Sequence, residues 1–244
     1  MSLQCVTSQA MNTDPVGLAS WLRERLDGGE PVSAILDHAA ALELHPISIA
    51  LCLDGPGWAN KDKQAANRRV ARTLGICDPW ISQIQSDGLR IRDPQIRELP
   101  EGLVVRRLDL SRLKGLVQIP ERTYARWMRI HQCHSLVRVP KIRGIKKLEL
   151  YDSHRLSELP EGLDLEDLSI SACPALEMLP IIRALHMNIS SCVHLRRIPD
   201  GVWFYQLVIA RLPNLEGPLP TSGLSEGAKT RVIDCPGVMG NENP

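Results

Sequence analysis

Residues 168–180 read LSISACPALEMLP, and the Leu-Pro pair that ends this stretch recurs along the second half of the chain. Seven Leu-Pro, Ile-Pro or Val-Pro pairs recur at an almost constant spacing, with successive prolines separated by 20, 20, 20, 20, 19 and 21 residues. These prolines are Pro100, Pro120, Pro140, Pro160, Pro180, Pro199 and Pro220. A fixed period of this length indicates a solenoid, in which stacked repeats bury a common core.

Apolar residues recur at fixed offsets within each repeat. In the stretch quoted above they are Leu168, Ile170, Cys173, Leu176 and Leu179. Alternation at the first two positions is typical of a short, half-buried strand, and the later spacing of three residues is typical of a chain that turns. We therefore expect one strand per repeat, with neighbouring parallel strands about 4.8 Å apart and the leucines in the interior.

The pattern L-x-L-x-x-C-x-x-L-x-x-L-P resembles that of the leucine-rich repeat family, in its short 20-residue bacterial and cysteine-containing forms. The resemblance covers residues 85–239. It implies an α+β solenoid, a right-handed superhelix with parallel strands on its concave face. Because a 20-residue unit is too short for a full helix, we expect extended or single-turn structure on the other side.

The composition favours a globular protein without a strong overall field. The 244 residues carry 29 basic and 28 acidic side chains, a formal net charge of +1, so nucleic-acid or membrane binding would need a local patch. No run approaches the roughly 18 apolar residues of a membrane span, and residues 1–15 lack the pattern of a signal peptide. We expect a cytoplasmic, monomeric protein without a cofactor.

Cysteine spacing argues against a zinc site or a disulfide framework. The seven cysteines show no C-x-x-C pair. Four of them occupy the turn position after a predicted strand, where we expect a buried column of thiols. A metal or redox site is the alternative for this column, which contains Cys133, Cys173, Cys192 and Cys235.

A helical domain is predicted before the repeats. Apolar residues at helical spacing, such as Leu18, Leu22 and Leu26, indicate helices within residues 15–84, which would cap the first repeat. Residues 1–14 and 240–244 are expected to be flexible ends. Basic residues near Arg68, Arg69 and Arg72 loosely resemble a helix-turn-helix and leave nucleic-acid binding as a less favoured alternative to a solvated surface.

Alignment of the repeats assigns the strand residues that face away from the core to three columns. The central column contains Asp109, Arg129, Glu149, Ser169, Asn188 and Val208. The flanking columns contain Arg107, Trp127, Lys147, Asp167, His186 and Gln206, and Ser111, His131, Tyr151, Ser171, Ser190 and Ala210. Alternating charges in the central column favour a ladder of exposed ion pairs, which is the simplest explanation of that column.

Aromatic and basic residues coincide in the first repeats, and this combination is typical of protein-binding surfaces. We predict a non-enzymatic protein-interaction module whose partner-binding residues are Arg107, Trp127, Arg129, His131, Lys147, Glu149 and Tyr151. The alternative for these residues is a solvated face with one tryptophan packed against the cap. No G-x-S-x-G, phosphate loop or H-E-x-x-H motif supports catalysis.

Two other functional classes remain open. The repeat length and the polar start of the chain are compatible with a bacterial effector that is secreted into a host cell without a cleaved signal peptide and acts on a host protein. Nucleic-acid binding through the helical domain is the second class, and it would give salt-sensitive binding.

Overall fold

The strands that follow the helices form one parallel sheet in a computed structural model, which describes residues 15–52, 60–73, 80–85, 88–220 and 227–238. Eight strands pair in chain order from β1 to β8. The helices are α1 Pro15–Asp27, α2 Val32–Ala41, α3 Pro46–Cys52, α4 Asn60–Thr73 and α5 Trp80–Gln83. The strands are β1 Gly88–Ile91, β2 Val104–Ser111, β3 Tyr124–His131, β4 Lys147–Tyr151, β5 Asp164–Ser171, β6 Arg183–Ser190, β7 Trp203–Ala210 and β8 Lys229–Ile233.

The register of the sheet follows the Leu-Pro period. Leu108 pairs with Met128, which pairs with Leu148, and the series continues through Leu168 to Met187 in the next two strands. Each step along the sheet is therefore one repeat along the sequence. The prediction of a solenoid built from one strand per repeat is confirmed.

The interior of the solenoid is a continuous apolar stack. In the repeat quoted above, Leu168, Ile170, Cys173, Leu176 and Leu179 are all buried. Most of the corresponding residues of the other coils belong to the same core cluster, which extends to Val238. Full burial of one such aliphatic side chain contributes about 1.5–3 kcal/mol, so each coil depends on its neighbours for stability.

Each strand from β2 to β8 is followed by a residue in the left-handed conformation. These residues are Arg112, Gln132, Asp152, Ala172, Ser191, Arg211 and Asp234, with φ between 48° and 63°. The backbone N–H of Ala172 donates to the carbonyl oxygen of Ser190 in the next coil, and that of Gln132 donates to Tyr151. Left-handed backbone costs about 1–2 kcal/mol for a residue other than Gly, and these hydrogen bonds between coils offset part of the cost. Each of these hydrogen bonds joins the residue that follows one strand to the last residue of the next strand.

Helices are confined to the first part of the chain as far as the structure describes it. Between the strands, the described residues of 88–220 and 227–238 form turns, bends, isolated parallel bridges and segments without regular structure, and none of them is helical. This is compatible with the expected extended or single-turn structure on the side opposite the sheet. The segments 1–14 and 240–244, predicted to be flexible, lie outside the described residues.

The helices pack against the beginning of the sheet. Ile47, Ala50 and Ala71 belong to the core cluster of the solenoid, while Leu22 and other residues of α1 to α3 form a second cluster that includes Val104 of β2. Polar contacts reinforce this packing. The N–H of His45 and the hydroxyl of Ser48 both donate to the carbonyl oxygen of Gly102, and Ser48 accepts from the N–H of Val104.

Candidate functional site

The three predicted columns lie on the outer face of the sheet, which is the face directed away from the core. The register pairs Asp109 with Arg129 and Glu149, and it pairs Ser111 with His131 and Tyr151. The remaining members follow in the same order through β5, β6 and β7. The register agrees with the predicted alignment of each column. Their role in binding stays a prediction.

Trp127 is the centre of a cluster of cations. The guanidinium carbon of Arg107 lies 3.4 Å from the centroid of the indole, and the ammonium nitrogen of Lys147 lies 5.9 Å from it. One cation comes from each neighbouring strand because the register places the three residues side by side. Cation–π contacts contribute about 0.5–1 kcal/mol at exposed sites. The ring is therefore positioned by strands rather than by loops.

A second aromatic contact adjoins the first. The guanidinium carbon of Arg129 lies 5.4 Å from the centroid of the Tyr151 ring. Glu149 connects the two groups, since one carboxylate oxygen lies 3.7 Å from Arg129 Nε and the other 3.2 Å from Lys147 Nζ. The described structure thus brings six of the seven predicted binding residues into linked contacts. His131 completes the set at the end of β3, beside Tyr151 in the register.

The ion-pair ladder differs from its predicted form at the first step. Asp109 is 1% exposed, and its carboxylate pairs with Arg90 at 3.0 Å and accepts a hydrogen bond from Ser111 Oγ at 2.6 Å. A ladder of ion pairs along the central column would pair Asp109 with its neighbour Arg129, which instead lies near Glu149. Arg90 was missed because β1 precedes the first Leu-Pro pair. The Leu89-Arg90-Ile91 triplet was the available signal, since it matches the later strand triplets.

The His131, Cys133 and His134 group has no arrangement typical of nucleophilic catalysis. The Cys133 thiol donates to the carbonyl oxygens of Leu110 and His131 at 3.6 and 3.7 Å. The ring of His134 stacks on His154, with centroids 4.4 Å apart. Thiol and imidazole are therefore engaged in separate contacts, whereas nucleophilic catalysis needs them hydrogen-bonded to each other.

Asp152 forms a small polar cluster with its neighbours at the turn after β4. It accepts a hydrogen bond from Gln132 Nε2 at 2.9 Å and pairs with His154 at the same distance. The Gln132 hydrogen bond lowers the pKa of the Asp152 carboxyl, and the charges of the nearby histidines act in the same direction. The cluster links two successive turns.

The predicted column of buried thiols is present. Cys133, Cys173 and Cys192 have no exposed surface, and Cys235 is also buried. Ser153 takes the same position in β4's coil and donates to the carbonyl oxygen of Tyr151, as the thiols do to the equivalent carbonyls. Burial raises the pKa of Cys133 to about 11 and that of Cys173 to about 12. These thiols serve the packing of the turns.

Native-state alkylation tests this column. A pKa of about 12 instead of 9.0 lowers the thiolate fraction at pH 8 by about three orders of magnitude. We expect Cys173 to react only when the protein unfolds, as measured by peptide mapping after iodoacetamide treatment with and without urea. Labelling of native Cys173 at the rate of a free thiol would contradict the buried assignment.

Arg68, in the basic part of α4, makes contacts within the protein. Its guanidinium donates to the backbone oxygens of Ser82 and Ile84, each at 3.3 Å, and so ties α4 to the segment just before the sheet.

Within the part of the chain that the structure describes, no three His, Cys, Asp or Glu side chains converge as metal ligands. None of the described helices combines the length and apolar character needed to cross a membrane.

Comparison with known proteins identifies no relative of this chain. No protein-family model matches the chain, and neither the curated proteins nor the solved structures contain a match.

Proposed function

We propose that this protein is a leucine-rich-repeat solenoid that binds a protein partner on the outer face of strands β2 to β4. The repeat assignment rests on the pattern at 168–180, its period and the strand in each repeat. The binding assignment rests on one observation. Trp127 and Tyr151, each in contact with an arginine, lie on paired strands four residues apart in the register, and Lys147, Glu149 and Arg129 link them.

The composition of this cluster supports protein binding. Interface hot spots are enriched in Trp, Tyr and Arg, which provide large contact areas with few freely rotating bonds. Here the ring of Trp127 and the guanidinium of Arg107 already stack in the unbound protein. Little conformational entropy is lost when such groups meet a partner, so the free energy of contact is retained as affinity.

The helical region serves as an amino-terminal cap in this proposal. Its apolar residues Ile47 and Ala50 join the solenoid core, and its polar contacts converge on Gly102. Arg68 contributes to these internal contacts, so the basic face of α4 is partly used in holding the fold together. That use supports the cap over the nucleic-acid alternative.

A quantitative pull-down tests the proposed function. Partners captured by the full-length protein are compared with those captured by the Trp127→Ala/Tyr151→Ala variant. Trp203→Ala/Tyr205→Ala is the matched control, because it removes the same residue types from β7. We expect the first variant to lose at least about tenfold in captured partner, and the control to retain it.

The two variants also show how the proposal fails. Equal capture by wild type and the Trp127→Ala/Tyr151→Ala variant would remove the β2 to β4 face as the binding site. Loss in the control alone would transfer binding to the far end of the sheet. Circular dichroism of each variant verifies that the fold is intact.

A further inference from the structure

Charge is distributed unevenly along the sheet although the chain is nearly neutral. Strands β1 to β4 carry six basic residues and two acidic ones, whereas β5 carries three acidic residues and no basic one. The basic residues are Arg90, Arg106, Arg107, Arg126, Arg129 and Lys147. The acidic residues are Asp109 and Glu149 on the first four strands, and Asp164, Glu166 and Asp167 on β5.

The two acidic residues of β1 to β4 are already engaged. Asp109 pairs with Arg90, and Glu149 lies between Arg129 and Lys147. Arg107 makes no ion pair with any described residue and uses the flat face of its guanidinium against Trp127. A stacked guanidinium keeps its N–H groups at the edge, where they can donate to a planar carboxylate. Lys147 Nζ lies 3.2 Å from Glu149 and 4.0 Å from Asp167 Oδ2. The unused donor capacity of the cluster is therefore at Arg107, and at Lys147 a partner's carboxylate would replace the long contact with Asp167.

Two further donors in the cluster lack an acceptor within the described structure. Trp127 Nε1 and Arg129 Nε are buried and make no hydrogen bond. Arg129 Nε is 3.7 Å from the nearest Glu149 oxygen, which is beyond hydrogen-bonding distance. An unpaired buried donor is unfavourable, so an acceptor supplied from outside would relieve this cost.

We infer that the partner presents a short acidic segment, which lies across β2 to β4 with its carboxylates at Arg107 and Lys147. The inference rests on the proposed function and specifies the chemistry of its partner. These cations are two strands apart, which is about 10 Å at the usual spacing of strands. Carboxylates three residues apart on a polyproline-II chain, which turns once in three residues and rises about 3.1 Å per residue, face the same side about 9 Å apart.

The acidic residues of β5 favour a short segment over a long polyanion. Asp164, Glu166 and Asp167 border the basic cluster, and each lies within 4.0 Å of a cation, which is Lys146, Arg126 and Lys147 respectively. A chain that carries negative charge beyond the cluster would therefore meet carboxylates on β5 and no cation of that strand. Single-stranded nucleic acid also stacks on aromatic rings and pairs with arginine. Its regular phosphates would continue over β5, whereas an acidic peptide can place apolar or neutral residues there.

Selection of random dodecapeptides on the full-length protein tests the inference. We expect selected sequences to contain two acidic residues separated by two others, next to an apolar residue. The affinity of a selected peptide should fall at least about tenfold in Arg107→Glu and fall with added salt. Arg183→Glu is the control, since Arg183 stacks on Trp203 at 4.8 Å on the far strands, and it should leave affinity unchanged.

Each contrary outcome has a distinct meaning. Selected peptides without acidic enrichment, whose binding is lost in Trp127→Ala but not in Arg107→Glu, overturn the acidic partner and leave the proposed binding face standing. Peptides insensitive to both substitutions, or a failure to select any, count against the face itself. Tighter binding of an oligothymidylate of the same length, lost in Arg107→Glu, replaces the acidic peptide with nucleic acid.

Discussion

Replacing Gly102 with Ala should lower the free energy of unfolding by about 2–4 kcal/mol. Gly102 has φ of +69°, where an L side chain is strained by about 1–2 kcal/mol. The added Cβ would also overlap the backbone carbonyl oxygen of Glu43, in the turn between α2 and α3. Backbone cannot rotate away as a side chain can, so the helices must shift from the first coil.

Gly162→Ala is the matched control for this substitution. Gly162 occupies the same place after its Leu-Pro pair and has φ of +68°, but a Cβ there meets only the end of the Lys141 side chain at 3.6 Å. Its expected cost is about 1–2 kcal/mol from backbone strain alone. The difference between the two variants therefore measures how strongly the helices depend on contact with the solenoid.

Urea unfolding followed by circular dichroism measures both variants, and limited proteolysis detects release of the helices. We expect faster cleavage within 15–52 in Gly102→Ala than in Gly162→Ala. Equal destabilisation of the two variants would show that the Glu43 contact adds nothing, and the helical region would then be no cap.

Truncation of Phe204 to Ala should cost about 3–5 kcal/mol, because Phe204 is the largest fully buried side chain. Its neighbour on β6 in the register is Ala184. Both side chains are buried, so the large ring packs beside a small residue. The small neighbour cannot fill the space that the ring leaves. A cavity therefore remains between the last coils, where β8 is mostly exposed.

Phe204→Leu is the control for the cavity, with an expected cost below about 1.5 kcal/mol. Hydrogen exchange locates the effect of the larger truncation. Because each coil contacts only its neighbours, we expect amides of β7 and β8 to lose protection before those of β3 and β4. Uniform loss of protection along the sheet would show instead that the solenoid unfolds as a single unit.

The residues of the proposed binding face could be placed on the sheet from the sequence alone. Strand residues alternate between two faces, and a constant repeat length aligns equivalent residues on neighbouring strands. The apolar residues Leu168 and Ile170 were predicted to face the interior. Their strand neighbours Asp167, Ser169 and Ser171 must then face outward, and the register agrees. Period and alternation are local properties, which a sequence displays directly.

The contacts on that face could not be predicted in the same way. Asp109 was expected to pair with Arg129 across one strand boundary but pairs with Arg90 on the other side. Both arginines are neighbours of Asp109 in the sheet, and the choice between them depends on side-chain rotamers and competition from Glu149. Several residues compete for each ion pair, and the alternative pairings differ only slightly in free energy.

The repeated apolar pattern was enough to predict the solenoid, its register and the residues that face away from the core, because a constant period aligns equivalent residues on neighbouring strands. Only the folded structure shows that Arg107 and Lys147 flank Trp127 and that Trp127 Nε1 and Arg129 Nε are buried without acceptors. The same is true of the close approach of Gly102 to the turn at Glu43. These features arise from side-chain packing and from contacts between distant segments, where position in a repeat carries no information about which neighbour is chosen.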